Sequence, residues 1–158
     1  MSEASPQALP PRTERAERTL TEWARVGRID EHLPPDGSIQ TAIAGMVRAS
    51  LRYAQSNPLV RSLFQLDPTV VRFVGSSATV RRHVDEGRAR LVDAIEQGVA
   101  RGELRGDLEP AQVADVARLL IMALIDNLLN PEWLNAADDR FVDTCLEMLF
   151  HGITPRNA

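Results

Sequence analysis

The sequence predicts an all-α protein, a bundle of about six to seven helices. Its 158 residues are 44% hydrophobic and 25% charged, which is typical of one globular domain of ordinary size. Only 4% of the chain is aromatic, and the apolar residues are mostly Leu, Val, Ile and Ala, which favours helices over sheets. Apolar positions recur every three or four residues, without the alternation that marks a strand.

Charge and cysteine usage limit the possible partners. The net charge is −4, so the chain as a whole repels phosphate backbones, and nucleic acid is a poor direct partner. The single cysteine, Cys145, cannot form an internal disulfide. We find neither a signal peptide nor an apolar run of membrane length, and we expect a cytoplasmic protein without a membrane partner.

The N-terminal quarter of the chain offers little to bury. Residues 1–12 are rich in Pro, Ser and Gln and are expected to form a disordered tail. Residues 13–37 predict a short, weakly docked helix over Thr13–Val26 and a Pro/Gly linker that ends at Gly37. The main domain is therefore expected to span residues 38–153.

Breaks followed by capping residues divide the middle of the chain into helices. Ser38 can cap a helix with one apolar stripe, and Asn57-Pro58 and Asp67-Pro68 can each end one helix and start the next. The break around Ser77 precedes a long helix that runs to about Arg101.

The last two predicted helices are rich in apolar residues. Between Leu119 and Leu129 the penultimate helix is apolar almost all round, so it needs cover on more than one side. The last helix, from about Asp138 to His151, is also rich in large apolar residues, and the loop between the two holds Trp133 and Leu134. A bundle this small rarely encloses such helices alone, and we expect a homodimer.

The connector between the long helix and the penultimate helix carries the clearest motif. Helix residues Ile95–Arg101 are followed by Gly102–Pro110 (GELRGDLEP), in which glycine can end the helix through a left-handed cap and leucine can pin the loop. The motif, the long helix Ala111–Asn130 and the final Leu149–Ile153 together resemble the C-terminal domain of TetR-type transcriptional regulators, over roughly residues 38–153. The resemblance implies an effector pocket among the middle helices and a dimer formed by the last two helices.

Regulators of this type begin with a three-helix DNA-binding domain, and nothing before Ser38 matches its helix-turn-helix pattern. DNA contact is therefore expected only through a domain absent from this chain. A coding start placed too far downstream, a fragment and a free-standing sensor domain stay open as explanations. The function predicted is sensing of a small apolar effector by a dimerising regulator domain. The alternative is an interaction module that heterodimerises with a full-length regulator.

The candidate pocket residues are apolar side chains that adapt or present flat faces, a glycine that could leave room, and a few polar groups. They are Met46, Tyr53, Phe64, Phe73, His83, Gly87, Met122 and Asp126. Gly87 could instead allow close packing of helices, and Asp126 could contact a ligand, a second subunit or solvent.

The candidate dimer interface takes its residues from the last two helices. It comprises Arg118, Ile121, Ile125, Leu128, Phe141, Cys145, Met148 and Leu149. Catalysis has little support, because His32, His83 and His151 share no ligand spacing and Cys145 has no histidine nearby in sequence. We expect no enzyme activity, no metal and no cofactor.

Overall fold

A computed structural model describes residues 11–34, 37–130 and 138–155. These ranges form α-helices and one short 3-10 turn, Ile29–Glu31, without a strand, which confirms the predicted all-α bundle. The helices are α1 Pro11–Val26, α2 Ile39–Ser56, α3 Pro58–Phe64, α4 Pro68–Ser76, α5 Ala78–Ala100, α6 Pro110–Leu129 and α7 Asp139–Ile153. Of the tail predicted over residues 1–12, residues 1–10 lie outside the described residues, as do the loop residues Trp133 and Leu134. Residues 11 and 12 belong to α1 and not to a tail.

Side-chain caps start five of the helices at the breaks in the sequence. In each case a side-chain oxygen accepts a hydrogen bond from a backbone N–H of the first turn, at 2.8–3.2 Å. Such a bond satisfies a donor that the helix itself leaves unpaired. The capping residues are Ser38, Asn57, Asp67, Ser77 and Asp138.

Helix α1 begins at Pro11, two residues before the predicted start, and it is not weakly docked. Its Leu20 is only 2% exposed. The Tyr53 hydroxyl of α2 lies 3.2 Å from the Thr19 carbonyl oxygen. The Trp23 ring packs edge-on against Phe64. The few apolar side chains of α1 face the bundle together, and that is sufficient to hold the helix in place.

The core is centred on α2, whose inward face is fully covered. Ile39, Ile43 and Val47 have no exposed surface. Helix α5 contributes Leu91 and Ile95 to the same cluster, and α6 and α7 cover its other sides. Burial of this kind stabilises a domain by roughly 25 cal/mol for each Å² of apolar surface removed from water.

The α5–α6 connector ends α5 and anchors the loop, as the sequence predicts. Gly102 adopts a φ of +72°, the left-handed conformation that glycine tolerates best. Leu104 follows it and is only 3% exposed.

The same connector holds two other helix ends in place. The Glu103 carboxylate accepts a hydrogen bond from the Ile39 N–H at 2.8 Å, at the start of α2. The Arg105 N–H donates to the Ile153 carbonyl at 2.8 Å, at the end of α7. The connector therefore joins α2, α5 and α7 at one end of the bundle.

Candidate functional site

A cavity of about 540 Å³ lies at the other end of the bundle, between α1, α2, α5 and α6, with single side chains from α3 and α4. Its volume falls within the range of small-molecule sites. The residues that line it are Leu20, Trp23, Ala24, Gly27, Met46, Ser50, Leu63, Val74, Val80, His83, Val84, Gly87, Arg88, Leu91, Asp115, Arg118, Leu119, Ile121 and Met122.

Apolar side chains form most of the cavity wall, and their exposure separates its base from its mouth. Leu20, Met46 and Leu91 are each 2% exposed, and they form a base that belongs to the core. Leu119 is 68% exposed and Met122 is 44% exposed, so these two side chains stand at the open side. A ligand could therefore enter from solvent past α6 and bury its apolar part against the core.

An ion pair links α5 to α6 at the cavity wall. Arg88 Nε lies 2.7 Å from Asp115 Oδ1, and Arg88 Nη2 lies 2.8 Å from Asp115 Oδ2, which is the bidentate geometry of a strong pair. The hydrogen bonds from Arg88 lower the pKa of the Asp115 carboxyl. The pair thus fixes the spacing of two cavity walls and uses both oxygens of the carboxylate.

Three further polar side chains line the cavity: Ser50, His83 and Arg118. Arg118 is half-buried and makes no hydrogen bond or ion pair with any residue that the structure describes. His83 Nδ1 donates to the Thr79 carbonyl at 2.8 Å, which leaves Nε2 as the ring nitrogen open to a ligand. The wall therefore offers a guanidinium and an imidazole nitrogen to an incoming molecule.

Four of the eight predicted pocket residues line this cavity: Met46, His83, Gly87 and Met122. A Cβ atom built on Gly87 would meet only Arg28 Cγ, at 3.9 Å, so the glycine leaves open space. Close packing, the other use considered for Gly87, is not found there.

The other four predicted pocket residues do not line this cavity. The Tyr53 hydroxyl lies against α1, where burial and a hydrogen bond to Glu22 raise its pKa to about 12. Phe64 packs edge-on against Trp23, with the ring centroids 6.0 Å apart. Phe73 is half-buried on α4. Asp126 is exposed and accepts a hydrogen bond from Asn130 at 2.9 Å.

Sequence reasoning missed Trp23, Arg88 and Asp115. Trp23 was passed over because α1 was expected to dock weakly. Arg88 and Asp115 are 27 residues apart and look like ordinary solvated charges. The signal that could have found Arg88 is its place beside Gly87, between Val84 and Leu91 on the inward stripe of α5.

The predicted interface residues differ in their exposure to solvent. Ile121 and Ile125 are 8% and 0% exposed within the protein's own core, so they are not available to a partner and the prediction was wrong for them. Phe141 and Met148 on α7 are 36% and 72% exposed. Leu128, Cys145 and Leu149 are half-buried, and Arg118 lines the cavity.

Helix α6 faces its own core and the solvent with different apolar residues. Ile121, Leu124 and Ile125 form the inward stripe, whereas Val116 is 52% exposed and Leu119 is 68% exposed on the outer side. A helix that is apolar all round shows no polar face to orient it, so the sequence could not separate the two stripes.

Other features of the described ranges offer less to a ligand. A groove along α1 is lined largely by charged residues, including Glu14, Glu17 and Arg25. No group of three or more metal-ligating side chains comes together in the described ranges.

None of the helices in these ranges combines the length and the apolar character that crossing a membrane requires.

No protein-family model matches the chain, and no curated protein matches it either. Among solved structures, the chain is similar to a protein of unknown function from Rhodococcus sp. RHA1, with a TM-score of 0.67. The match covers 90% of this chain and 73% of that chain, at 13% sequence identity. At this identity the likeness shows the fold alone: the two proteins share an all-helical architecture.

Proposed function

We propose that this chain is the effector-sensing and dimerisation domain of a cytoplasmic TetR-like transcriptional regulator. The observation that carries the proposal is the cavity of about 540 Å³, which has an apolar base and a few polar groups near its mouth. Sites of this size and lining bind small molecules in many proteins. The connector motif and the order of the helices support the same family.

The position of the cavity suits a sensor, because its walls come from different helices. Leu20 and Trp23 belong to α1, Leu91 to α5 and Met122 to α6. A ligand that favours one arrangement of these helices shifts the population toward it. In a dimer attached to DNA-binding domains, such a shift would change the distance between the two domains and hence operator binding.

A thermal-shift screen with apolar compounds tests the sensor. A compound that binds the folded state raises the unfolding midpoint in a dose-dependent manner. Gly87→Leu should abolish the shift, because the new side chain enters the open space at the cavity wall. Gly75→Leu is the matched control, since a Cβ at Gly75 on α4 meets nothing within 4 Å and Gly75 does not line the cavity. If no compound shifts the wild type, the sensor proposal fails.

The outer surfaces of α6 and α7 support the homodimer. They expose Val116 on one helix and Phe141 and Met148 on the other. Large apolar side chains that are exposed to water gain free energy when a partner covers them. Pairing of these two helices with their copies would form a symmetric four-helix contact, in which each subunit contributes the same residues.

Sedimentation of the purified chain tests the dimer. The wild type should sediment as a dimer, and Met148→Glu should shift it toward monomer because a charge would be buried at the contact. Leu66→Glu is the control, since Leu66 is 73% exposed but lies on the α3–α4 turn. A monomeric wild type at high concentration would refute the dimer. A dimer that binds no compound would instead fit the interaction module.

A further inference from the structure

The charges on the cavity wall are not balanced. The charged side chains that line it are Arg88, Asp115 and Arg118. Both carboxylate oxygens of Asp115 already accept hydrogen bonds from Arg88, at 2.7 and 2.8 Å. Arg118 makes no hydrogen bond or close ion pair within the described ranges, and its electrostatic attraction to Asp115 is shared with Arg88. Two arginines and one aspartate leave the wall with one net positive charge.

The surroundings of Arg118 favour an anionic partner. Arg118 is half-buried in a wall that is otherwise mainly apolar, where water screens a charge less than it does at an open surface. A guanidinium presents a planar fork of donors that matches a carboxylate in bidentate geometry. Asp85, one turn before Arg88 on α5, does not line the cavity, and no hydrogen bond or ion pair joins it to Arg118 within the described ranges.

We propose, on the basis of the proposed sensor function, that the effector is an apolar carboxylate. Its hydrocarbon part lies against the base formed by Leu20, Met46 and Leu91, and its carboxylate pairs with Arg118 at the mouth. The Arg88–Asp115 pair stands beside this position, and because it is already neutral it does not repel the acid.

Fluorescence of Trp23 provides a direct measure of binding, because this side chain lines the cavity. The chain has two tryptophans, and Trp133→Phe leaves Trp23 as the single tryptophan, which is excited selectively at wavelengths that tyrosine does not absorb. Decanoate, decanol and decylamine share one hydrocarbon length and differ in charge. All three are titrated below their aggregation limits.

We expect decanoate to bind about tenfold more tightly than decanol, which is the effect of one charge-assisted hydrogen-bonded pair. Decylamine should bind most weakly of the three. Arg118→Gln should reduce the affinity for decanoate to that for decanol and leave decanol binding unchanged. Arg52→Gln is the control, since Arg52 is exposed on α2 and does not line the cavity.

The outcomes separate this inference from the sensor function on which it rests. Equal binding of decanoate and decanol by the wild type would overturn the carboxylate and leave an apolar sensor in place. The same conclusion follows if Arg118→Gln weakens both ligands alike. If none of the three ligands binds and the compound screen is also negative, the sensor function and this inference fail together. The wild-type ranking alone decides the question should Arg118→Gln not fold.

Discussion

The two ends of the bundle differ in packing: the connector end is tightly packed, whereas the cavity end is open. At the connector end, Ile39, Leu104 and Ile153 are at most 6% exposed. Backbone and side-chain hydrogen bonds tie the connector to α2 and α7 there. At the cavity end, Val84, Leu119 and Met122 are at least 36% exposed around open space. Helix α4, which borders the cavity, has no buried residue.

This difference in packing assigns stability to the connector end and ligand binding to the cavity end. A domain needs well-packed regions to fold, and binding regions are drawn from its less stable parts. Here the connector end supplies tight packing, which leaves the cavity end free to keep open volume between α1, α5 and α6. We therefore expect changes at the connector end to alter the free energy of unfolding, and changes at the cavity end to alter ligand binding.

Two glycines of α5 give the sharpest test of this contrast. A Cβ at Gly98 would lie 3.0 Å from Ile39 Cγ2 and 3.2 Å from Leu104 Cδ1, both of which are buried and cannot easily move. Gly98→Ala should therefore destabilise the protein by about 1–2 kcal/mol. Gly87→Ala should stabilise it by about 0.5–1 kcal/mol, because alanine favours the helix and meets no obstacle there.

Urea denaturation followed by circular dichroism measures both variants. They carry the same substitution in the same helix, so helix propensity is matched and the sign of the change reports local packing alone. Stabilisation by Gly98→Ala would mean that the connector end can relax. Destabilisation by Gly87→Ala would mean that the cavity end is packed after all.

The helices were predictable because their signals are local. The caps Ser38, Asn57, Asp67 and Ser77 follow strong breaks, and each of them forms its hydrogen bond where the sequence places it. Gly102 ends α5 with a positive φ for an equally local reason. Such features depend on a few neighbouring residues and need no knowledge of the fold.

The cavity was only partly predictable, because it depends on how distant helices meet. Gly87 and Gly98 look alike in the sequence, yet one faces open space and the other contacts Ile39. Ile125 and Leu119 are both apolar positions of α6, yet one is fully buried and the other mostly exposed. Their environments are fixed by the neighbouring helices, about which a single sequence carries little signal.

Glu103 provides a smaller, pH-dependent test of the connector end. Hydrogen bonds from Arg101 and from the Ile39 N–H lower the pKa of its carboxyl below the ordinary value of 4.5. Glu103→Gln should cost about 0.5–1 kcal/mol at neutral pH, because the charged acceptor at the start of α2 is lost.

The pH dependence gives this prediction its direction. A carboxyl whose pKa is lowered by folding stabilises the protein above the unfolded-state pKa, and this contribution disappears as the pH falls through the folded-state value. The difference in unfolding free energy between wild type and Glu103→Gln should therefore shrink as the pH falls below 4.5. Glu96→Gln is the control, because this carboxylate of α5 is exposed and makes no hydrogen bond or ion pair in the described ranges, and the substitution should change the unfolding free energy little. A pH-independent difference for Glu103→Gln would show that the Glu103 charge does not stabilise the connector.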